Sequence, residues 1–577
     1  MKKNKLSIFR KEFSIYNIDG YIIPKNDKFF GEYVDPSNER LKYLTGFSGS
    51  AGQALVLKKK AFLFVDGRYT LQAQKEIKKG FKVIQIHKTK PLEILKKNKQ
   101  KLRIGFDPKL YSTASLINLF KTKNIKLIPI IKNLIDEIWL DKPKQKFNKF
   151  FILKTQYAGQ DYKHKINLIC NILKKRRLKN LLITAPENVA WILNIRGKDN
   201  FFSPIPNCNA IVNDKKKITL IVDNKKISKN FKLQFGKIIK YVNPSNITAY
   251  LNNLDNKQNF LIDKITCSFF YKEKIAKRFK YVEEIDPIFF LKSKKNNVEI
   301  NNTIKSHISD GTALTKFIFW IKNNINKLKI TELSALKKLE QFRKKNSNYI
   351  SPSFNTISGS GPNGAIVHYR ANNKTNRKIK IKDIYLCDSG GQYHYGTTDV
   401  TRTICFSKQS QKIRNIFTKV LKGHIGVATY NLKKNTTGKQ LDIVARSALK
   451  KAGLDYAHGT GHGVGYFLNV HEGPQAISKI NNVRLEEGMI LSNEPGYYES
   501  NKFGIRIENL VFIKKYKKKL RFENLTLAPI EKDLINFKLL NKKEKKYLNE
   551  YHKKIYFILS SHLNKNEKNW LRSFINK

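Results

Sequence analysis

"HGTGHGVGYFLNVH", residues 458–471, places His458, His462 and His471 within fourteen residues of a chain that has eleven histidines in all. A zinc-protease helix of the HExxH type also carries two histidines four residues apart, but it requires a Glu after the first and an unbroken helix. Here Gly459, Gly461, Gly463 and Gly465 are interspersed among the histidines. Each glycine costs about 1 kcal/mol in a helix interior. The stretch is therefore expected as a turn or extended strand, and any metal held there has to be completed from elsewhere in the chain.

The neighbourhood supplies the rest. Six of the eleven histidines fall between His368 and His471, about a sixth of the chain, where an even spread would place two. "IYLCDSGGQYHYGTTDVTRTICF" alternates in two runs, Ile384–Leu386 and Thr401–Phe406, around a Gly-rich middle. That predicts a hairpin or adjacent strands, with Asp388 ending one run and Asp399 starting the other, so that their carboxylates converge. "MILSNEPGYY" puts Glu494 at a strand end before Pro, and "FGIRIENLVF" places Arg506 and Glu508 on one face, opposite Ile505 and Ile507. Four carboxylates in one pocket repel one another unless cations occupy it. Two divalent ions about 3.5–4 Å apart resolve this, and they also hold a shared water whose pKa falls toward roughly 7. One imidazole with four carboxylates is an oxygen-rich set suited to Mn, Co or Zn. His462, flanked by glycines, is the candidate imidazole. Taken singly, Asp-Ser-Gly-Gly is a turn, Asn-Glu-Pro a strand exit, Arg506 and Glu508 a surface ion pair, and His394 a turn histidine. The ordered set is what points to a metal centre.

Farther out, the chain repeats itself. "QALVLKKKAFLFVDGRY" (53–69) aligns with "NAIVNDKKKITLIVDNKKI" (209–227), and "RLKYLTGFSG" (40–49) with "NVAWILNIRG" (188–197). Strands alternating with helices imply two similar α/β domains, about 1–142 and 143–293. Residues 294–516 carry the chemistry, and 517–577 read as a strand or loop followed by amphipathic helices, a small C-terminal appendage. The net charge of +67 raises a nucleic-acid or anionic-membrane reading. Its lysines are dispersed in short runs such as Lys58–Lys60 and Lys215–Lys217, with abundant Asn and Ile, which indicates compositional drift and no specific nucleic-acid face. The odd set of five cysteines without C-x-x-C spacing, the absence of a long apolar run and a basic N-terminus with no apolar core predict a soluble cytoplasmic protein with free thiols.

In order, "DSGG", "TTDVTRT", "HGTGHGVG", "HEGP", "SNEPGYY" and "GIRIEN" closely resemble the pita-bread metallopeptidases, and within them the aminopeptidase P (Xaa-Pro aminopeptidase) branch. The resemblance implies an α/β (α+β) chain: two tandem creatinase-like N-terminal domains, a pita-bread catalytic domain and a C-terminal extension. "SNERLKYLTGFSGSAGQALV", "LFVDGRYTLQA" and "PENVAWILNIRG" carry it through the N-terminal part. It implies Asp388, Asp399, His462, Glu494 and Glu508 as ligands of two divalent ions, most readily Mn, with Glu494 doubling as general base. By the same resemblance "GPNGAIVHYR" bears a catalytic His368. His458 and His471 are further catalytic histidines, and His368, His462, His471 and Arg68 of "DGRY" contact substrate. Arg402 and Arg506 are expected to hold neighbouring carboxylates. The second repeat has "DNKK" where the first has "DGRY", so only the first copy is expected to serve the site. The implied activity is release of the residue that precedes a proline at position two of a peptide, by a homodimer. The alternatives are a prolidase restricted to dipeptides, and a non-catalytic relative that binds protein or nucleic acid.

Overall fold

The chain is described by a computed structural model covering residues 4–98, 100–120 and 122–576. It divides into two compact units, Met1–Thr155 with Gln160–Asn200 and Pro204–Phe289, and Phe290–Lys577 with the short segments Gln156–Gly159 and Phe201–Ser203.

The first unit shows the sequence repeat as architecture. Strands β1 (Gly20–Pro24), β2 (Gln53–Leu57), β3 (Ala61–Val65), β4 (Lys82–Gln85), β5 (Leu102–Phe106) and β6 (Ile125–Pro129) form one sheet in the order β4-β3-β2-β1-β5-β6. Only β2 runs against its neighbours. A second sheet, built from Asn180–Ile183, Asn209–Asn213, Ile218–Ile221, Ile239–Val242, Asn259–Asp263 and Lys280–Glu284, has the same order and the same directions. The strands near the middle are buried on both faces, which is why "QALVL", "AFLFV" and "NLLI" are apolar almost throughout and do not alternate. The lysine runs 58–60 and 215–217 turn the two corresponding hairpins, in which Ala54 faces Leu63 and Ala210 faces Leu220. Those lysines are exposed.

The second unit begins with a long helix, Asn297–Asn324, started by an Asn296–Glu299 capping box. The helices Glu332–Lys344, Gln411–Ala428 and Gly438–Lys450 follow. The strands Ile357–Ser360, Ile384–Ser389 and Val400–Cys405 form an antiparallel sheet in which Asp388 lies opposite Thr401. A five-stranded sheet has the order Glu472–Ile477, Gly461–Gly463, Ile490–Asn493, Asn509–Tyr516 and Lys519–Asn524, and Gly496–Glu499 pairs with Phe503–Arg506 in a hairpin. The histidine-rich stretch thus supplies a strand and turns, as its glycines require. Gly461 and Gly463 are needed there, because a Cβ on either would meet backbone at 1.9 and 2.4 Å.

The C-terminal segment is more than an appendage. Its helices Lys542–Leu559 and Lys565–Asn576 bury Leu548, Leu559 and Leu571 in one cluster with Ile505 and Ile507, which flank the strand end at Arg506. All five cysteines are buried free thiols. Among the described residues no helix is long and apolar enough to cross a membrane.

Candidate metal centre

Three strand ends aim their carboxylates at one place. Asp388 is the penultimate residue of Ile384–Ser389, Asp399 directly precedes Val400–Cys405, and Glu494 directly follows Ile490–Asn493. Glu508 lies between Phe503–Arg506 and Asn509–Tyr516, its amide bonded to the Thr401 carbonyl at 3.2 Å. His462 comes from the glycine-flanked strand, its amide bonded to Ser492 Oγ at 2.9 Å, and that hydroxyl donates to Glu494 Oε1 at 3.1 Å. Ligand atoms of Asp399, His462 and Glu508 all lie within 4.8 Å of one another.

This donor set fits a divalent cation. His462 Nδ1 bonds the Gly463 carbonyl at 2.9 Å, which places the proton on Nδ1 and leaves the Nε2 lone pair toward Asp399 Oδ2 at 3.4 Å and Glu494 Oε1 at 3.5 Å. An imidazole lone pair facing two carboxylates needs a cation. Without one the ring itself becomes it: burial pulls the His462 pKa down, but Asp399 and Glu494 outweigh burial and lift it to about 9. Burial, with charge repulsion from the other acids, pushes Asp388 up to about 6 and raises Glu494 and, most of all, Glu508. Asp388 Oδ1 is buried with no hydrogen-bond partner, an unfilled acceptor that a cation satisfies.

The surrounding polar groups hold these side chains in place. Arg506 Nη2 donates to Asp388 Oδ2 at 2.6 Å, Nε to Thr401 Oγ1 at 3.2 Å and Nη1 to the Tyr498 hydroxyl at 2.5 Å. Thr401 Oγ1 in turn donates to Glu508 Oε2 at 2.7 Å. Arg506 thus holds a neighbouring carboxylate, as the sequence implied. Arg402 does not. Its guanidinium donates to the carbonyls of Thr401, Glu508, Ala528 and Pro529, to Asn509 Oδ1 and to the Tyr551 hydroxyl. The expected carboxylate contact is replaced because the strand's alternation turns this side chain away from the acids and toward the C-terminal segment.

The three further histidines have separate supports. His471 meets His462 edge to face, with ring centroids 4.3 Å apart. The next residue, Glu472, is buried between Lys292 (2.8 Å) and Lys295. His458 Nε2 lies 2.8 Å from the Tyr498 hydroxyl, which links it through Arg506 to Asp388. His368 follows Val367, whose carbonyl takes Arg506 Nη2 at 3.5 Å. Its loop is fixed by buried Glu332, which accepts from Ser360 N, Asn363 Nδ2, Arg377 N and the Tyr369 hydroxyl at 2.8–3.1 Å. Arg68 lies in the turn after β3, paired through Nε and Nη2 with Asp66. Sequence reading missed Tyr498, Thr401, Glu332 and the Lys292–Glu472–Lys295 cluster. Tyr498, Thr401 and Glu472 carried a signal, as members of "SNEPGYY", "TTDVTRT" and "HEGP", whereas Glu332, Lys292 and Lys295 did not.

The sequence matches the metallopeptidase family M24 over residues 302–515 and the C-terminal region of M24 peptidases over 518–575. It matches the creatinase/prolidase N-terminal domain twice, over 5–138 and 141–299. A probable Xaa-Pro aminopeptidase P of Laccaria bicolor is 38% identical across 95% of this chain and 89% of its own length. Xaa-Pro aminopeptidase 1 of Dictyostelium discoideum is 36% identical across 100% and 96%. The crystal structure of an X-prolyl aminopeptidase from Caenorhabditis elegans, described as a cytosolic enzyme with a di-nuclear active site, superposes with a TM-score of 0.94 at 29% identity, covering 99% of this chain and 98% of that one. A prolidase from Thermococcus sibiricus reaches a TM-score of 0.52 at 26% identity and covers 64% of this chain. With tandem creatinase-type domains ahead of a pita-bread metallopeptidase domain, the chain belongs to the Xaa-Pro aminopeptidase P group of metallopeptidase family M24.

Proposed function

We propose that this chain is a metal-dependent aminopeptidase that hydrolyses the bond between the first residue of a peptide and a proline at position two, using two divalent ions held by Asp388, Asp399, His462, Glu494 and Glu508. The observation that carries this reading is the convergence of His462 Nε2 with the buried acids, together with an Asp388 oxygen that no donor satisfies. When bound, the two ions supply a water acidified toward neutral pH and a positive field for the oxyanion formed on attack.

The protein's own groups do the rest. Glu494, whose affinity for a proton burial raises, takes the proton from the attacking water and returns it to the leaving nitrogen. His368 donates to the scissile carbonyl or its nitrogen, and His471, packed on His462, flanks the same place. His458 acts through the Tyr498 hydroxyl, which stabilises the Arg506–Asp388 pair. Arg68, oriented by Asp66, completes the set of substrate-contacting residues. An Xaa-Pro bond is a tertiary amide with no N–H and restricted geometry, so proline is selected by the pocket and not by the hydrolytic chemistry. The carboxylate-rich donors favour Mn over softer ions. The cytosolic compartment of the Caenorhabditis elegans enzyme and a homodimeric assembly are part of the proposal, and the five free, buried thiols accord with a reducing compartment.

Metal analysis of the purified protein alongside mass-spectrometric mapping of Xaa-Pro-Yaa cleavage tests this. About two ions per chain and release of free Xaa are expected. Cleavage confined to Xaa-Pro dipeptides would transfer the chain to the prolidase reading.

A further inference from the structure

A second cavity lies in the catalytic unit, away from the metal centre, at the other end of the strand that begins beside Asp399. Val400–Cys405 runs from that ligand to Cys405, about 20 Å at about 3.3 Å per residue. Cys405 and the residues after it, Phe406 to Lys408, line a pocket of about 540 Å³. Four cationic side chains, Lys322, Lys408, Arg414 and Lys532, line it with a single acid, Asp533. That is four Lys or Arg among ten lining residues, against 112 in 577 for the chain, so the pocket is richer in cations than the lysine-rich background supplies.

The cations are built in and not merely scattered on the surface. Arg414 is anchored by Nη2 on the Ile535 carbonyl at 2.9 Å, while its Nε is buried with no partner. Lys532 is only 8% exposed and spends one hydrogen bond on the Ile575 carbonyl at 2.9 Å, which leaves two of its three donors for another acceptor. Lys322 is neutralised by Glu531 at 2.7 Å. Lys408, an exposed lining residue, adds a further cation to this set. Subtracting Asp533 and the paired Lys322, the lining carries two uncompensated positive charges in a concave, partly apolar space, and such a shape focuses the field on an anion. Phe406 and Phe537 supply apolar walls.

We propose that this pocket binds an oligophosphate, the chemistry that answers a fixed guanidinium flanked by ammonium groups. Two sources share that chemistry, inorganic tripolyphosphate and a nucleoside triphosphate whose base lies against Phe406 or Phe537. The site is independent of the peptidase reading, since none of its lining residues is a proposed metal ligand or substrate contact.

The test uses metal-loaded protein at 150 mM salt, where exposed charges are screened beyond about 8 Å. Magnesium-saturated tripolyphosphate and magnesium ATP are titrated calorimetrically, so that neither strips the protein's own ions. Lys408→Glu and Arg414→Met are compared with Lys518→Glu, an exposed lysine elsewhere with the same change of charge. Any phosphate binding at the metal centre is common to all four proteins. Saturable binding weakened about tenfold or more by either pocket variant and unchanged in Lys518→Glu is expected, because each variant removes a charge-assisted contact. Lys408 should also be shielded from acylation by the ligand while Lys518 is not. Lys408→Glu alters only an exposed side chain, so a folding defect in Arg414→Met leaves the test intact. Tighter binding of ATP would assign the nucleotide, and equal binding the phosphate chain alone. Absence of binding in the wild type, or equal weakening by all three variants, would overturn the site and return the anion affinity to the overall charge.

Discussion

Arg506 Nη2 and Asp388 Oδ2 lie 2.6 Å apart, and the other oxygen of that carboxylate has no hydrogen-bond partner. One oxygen is thus occupied by a fixed cation and the other is left for a different one. Burial pushes the Asp388 carboxyl up to about 6 even with Arg506 beside it, and the arginine favours its ionised form. Arg506→Met is expected to lower metal affinity and activity by roughly 10- to 100-fold, the usual effect of losing a group that orients a ligand. Metal titration of the apoprotein, read by calorimetry, checks it, and an unchanged affinity would assign Arg506 to substrate instead.

Chelation should abolish activity, and Mn should restore it better than Co or Zn. Asp399→Ala and His462→Ala should lose activity at any Mn concentration, since each removes one of the converging ligand atoms. Activity assays across a metal series decide this, and full activity in either variant would remove it from the ligand set.

Glu332 accepts hydrogen bonds on both carboxylate oxygens from groups on either side of His368. A glutamine there turns an NH₂ against the amide of Ser360 or of Arg377, leaving buried donors opposed at about 1–3 kcal/mol each. Glu332→Gln is therefore expected to lower the unfolding midpoint and to reduce kcat more than it raises KM. Steady-state kinetics with thermal denaturation separates the two, and loss of stability with kcat intact would restrict Glu332 to a scaffold role.

His552 should make the catalytic unit acid-sensitive. Burial, aided by Lys532 and Arg402, lowers its pKa to about 3, whereas an unfolded chain titrates near 6.5. Between those values the unfolded state binds more protons, so this contribution is complete above pH about 6.5 and is lost as pH falls toward 3, by at most about 1.4 kcal/mol per pH unit. Its Nε2 accepts the Ile530 amide at 3.1 Å. His552→Gln keeps an acceptor and does not titrate, so its melting temperature should fall less between pH 7 and 5 than that of the wild type. Parallel slopes would show that the acid sensitivity lies elsewhere.

Substrate choice should follow the pocket. Xaa-Pro-Yaa peptides are expected to be cut after Xaa, Xaa-Ala-Yaa counterparts far more slowly, and N-acetylated peptides not at all. The tripeptide should outperform the Xaa-Pro dipeptide. Equal turnover of the proline and alanine series would leave the fold assignment standing and remove the specificity.

Much of this was legible in the residues because local rules and function agreed. The two strand runs around a Gly-rich middle put Asp388 near the end of one strand and Asp399 at the entry to its neighbour, and there they are found. The two Lys-turned hairpins announced a duplicated sheet whose strand order proves identical in both copies. The glycines around His462 excluded a helix, and the chain there is extended. What escaped depends on partners far away in sequence. Arg402 lies 126 or more residues from three of its acceptors, and nothing near it in the chain says that they are carbonyls and a hydroxyl. Glu332 looks like any acid at a helix start. The lysine-rich polar face of the last helices hides how deeply their other face is buried.

The Arg402 contacts give the order of synthesis a role. A nascent chain that has emerged through Tyr516 already contains every proposed ligand, but not Ala528, Pro529 or Tyr551, to which Arg402 ties the carbonyls of Thr401 and Glu508. The two duplicated sheets can fold as they leave the ribosome, since N-terminal domains fold first. The Arg402 contacts cannot close until residues 528–551 have emerged. A copy terminated before Ala528 carries every proposed ligand without the contacts through which Arg402 ties the carbonyls of Thr401 and Glu508 to the C-terminal segment.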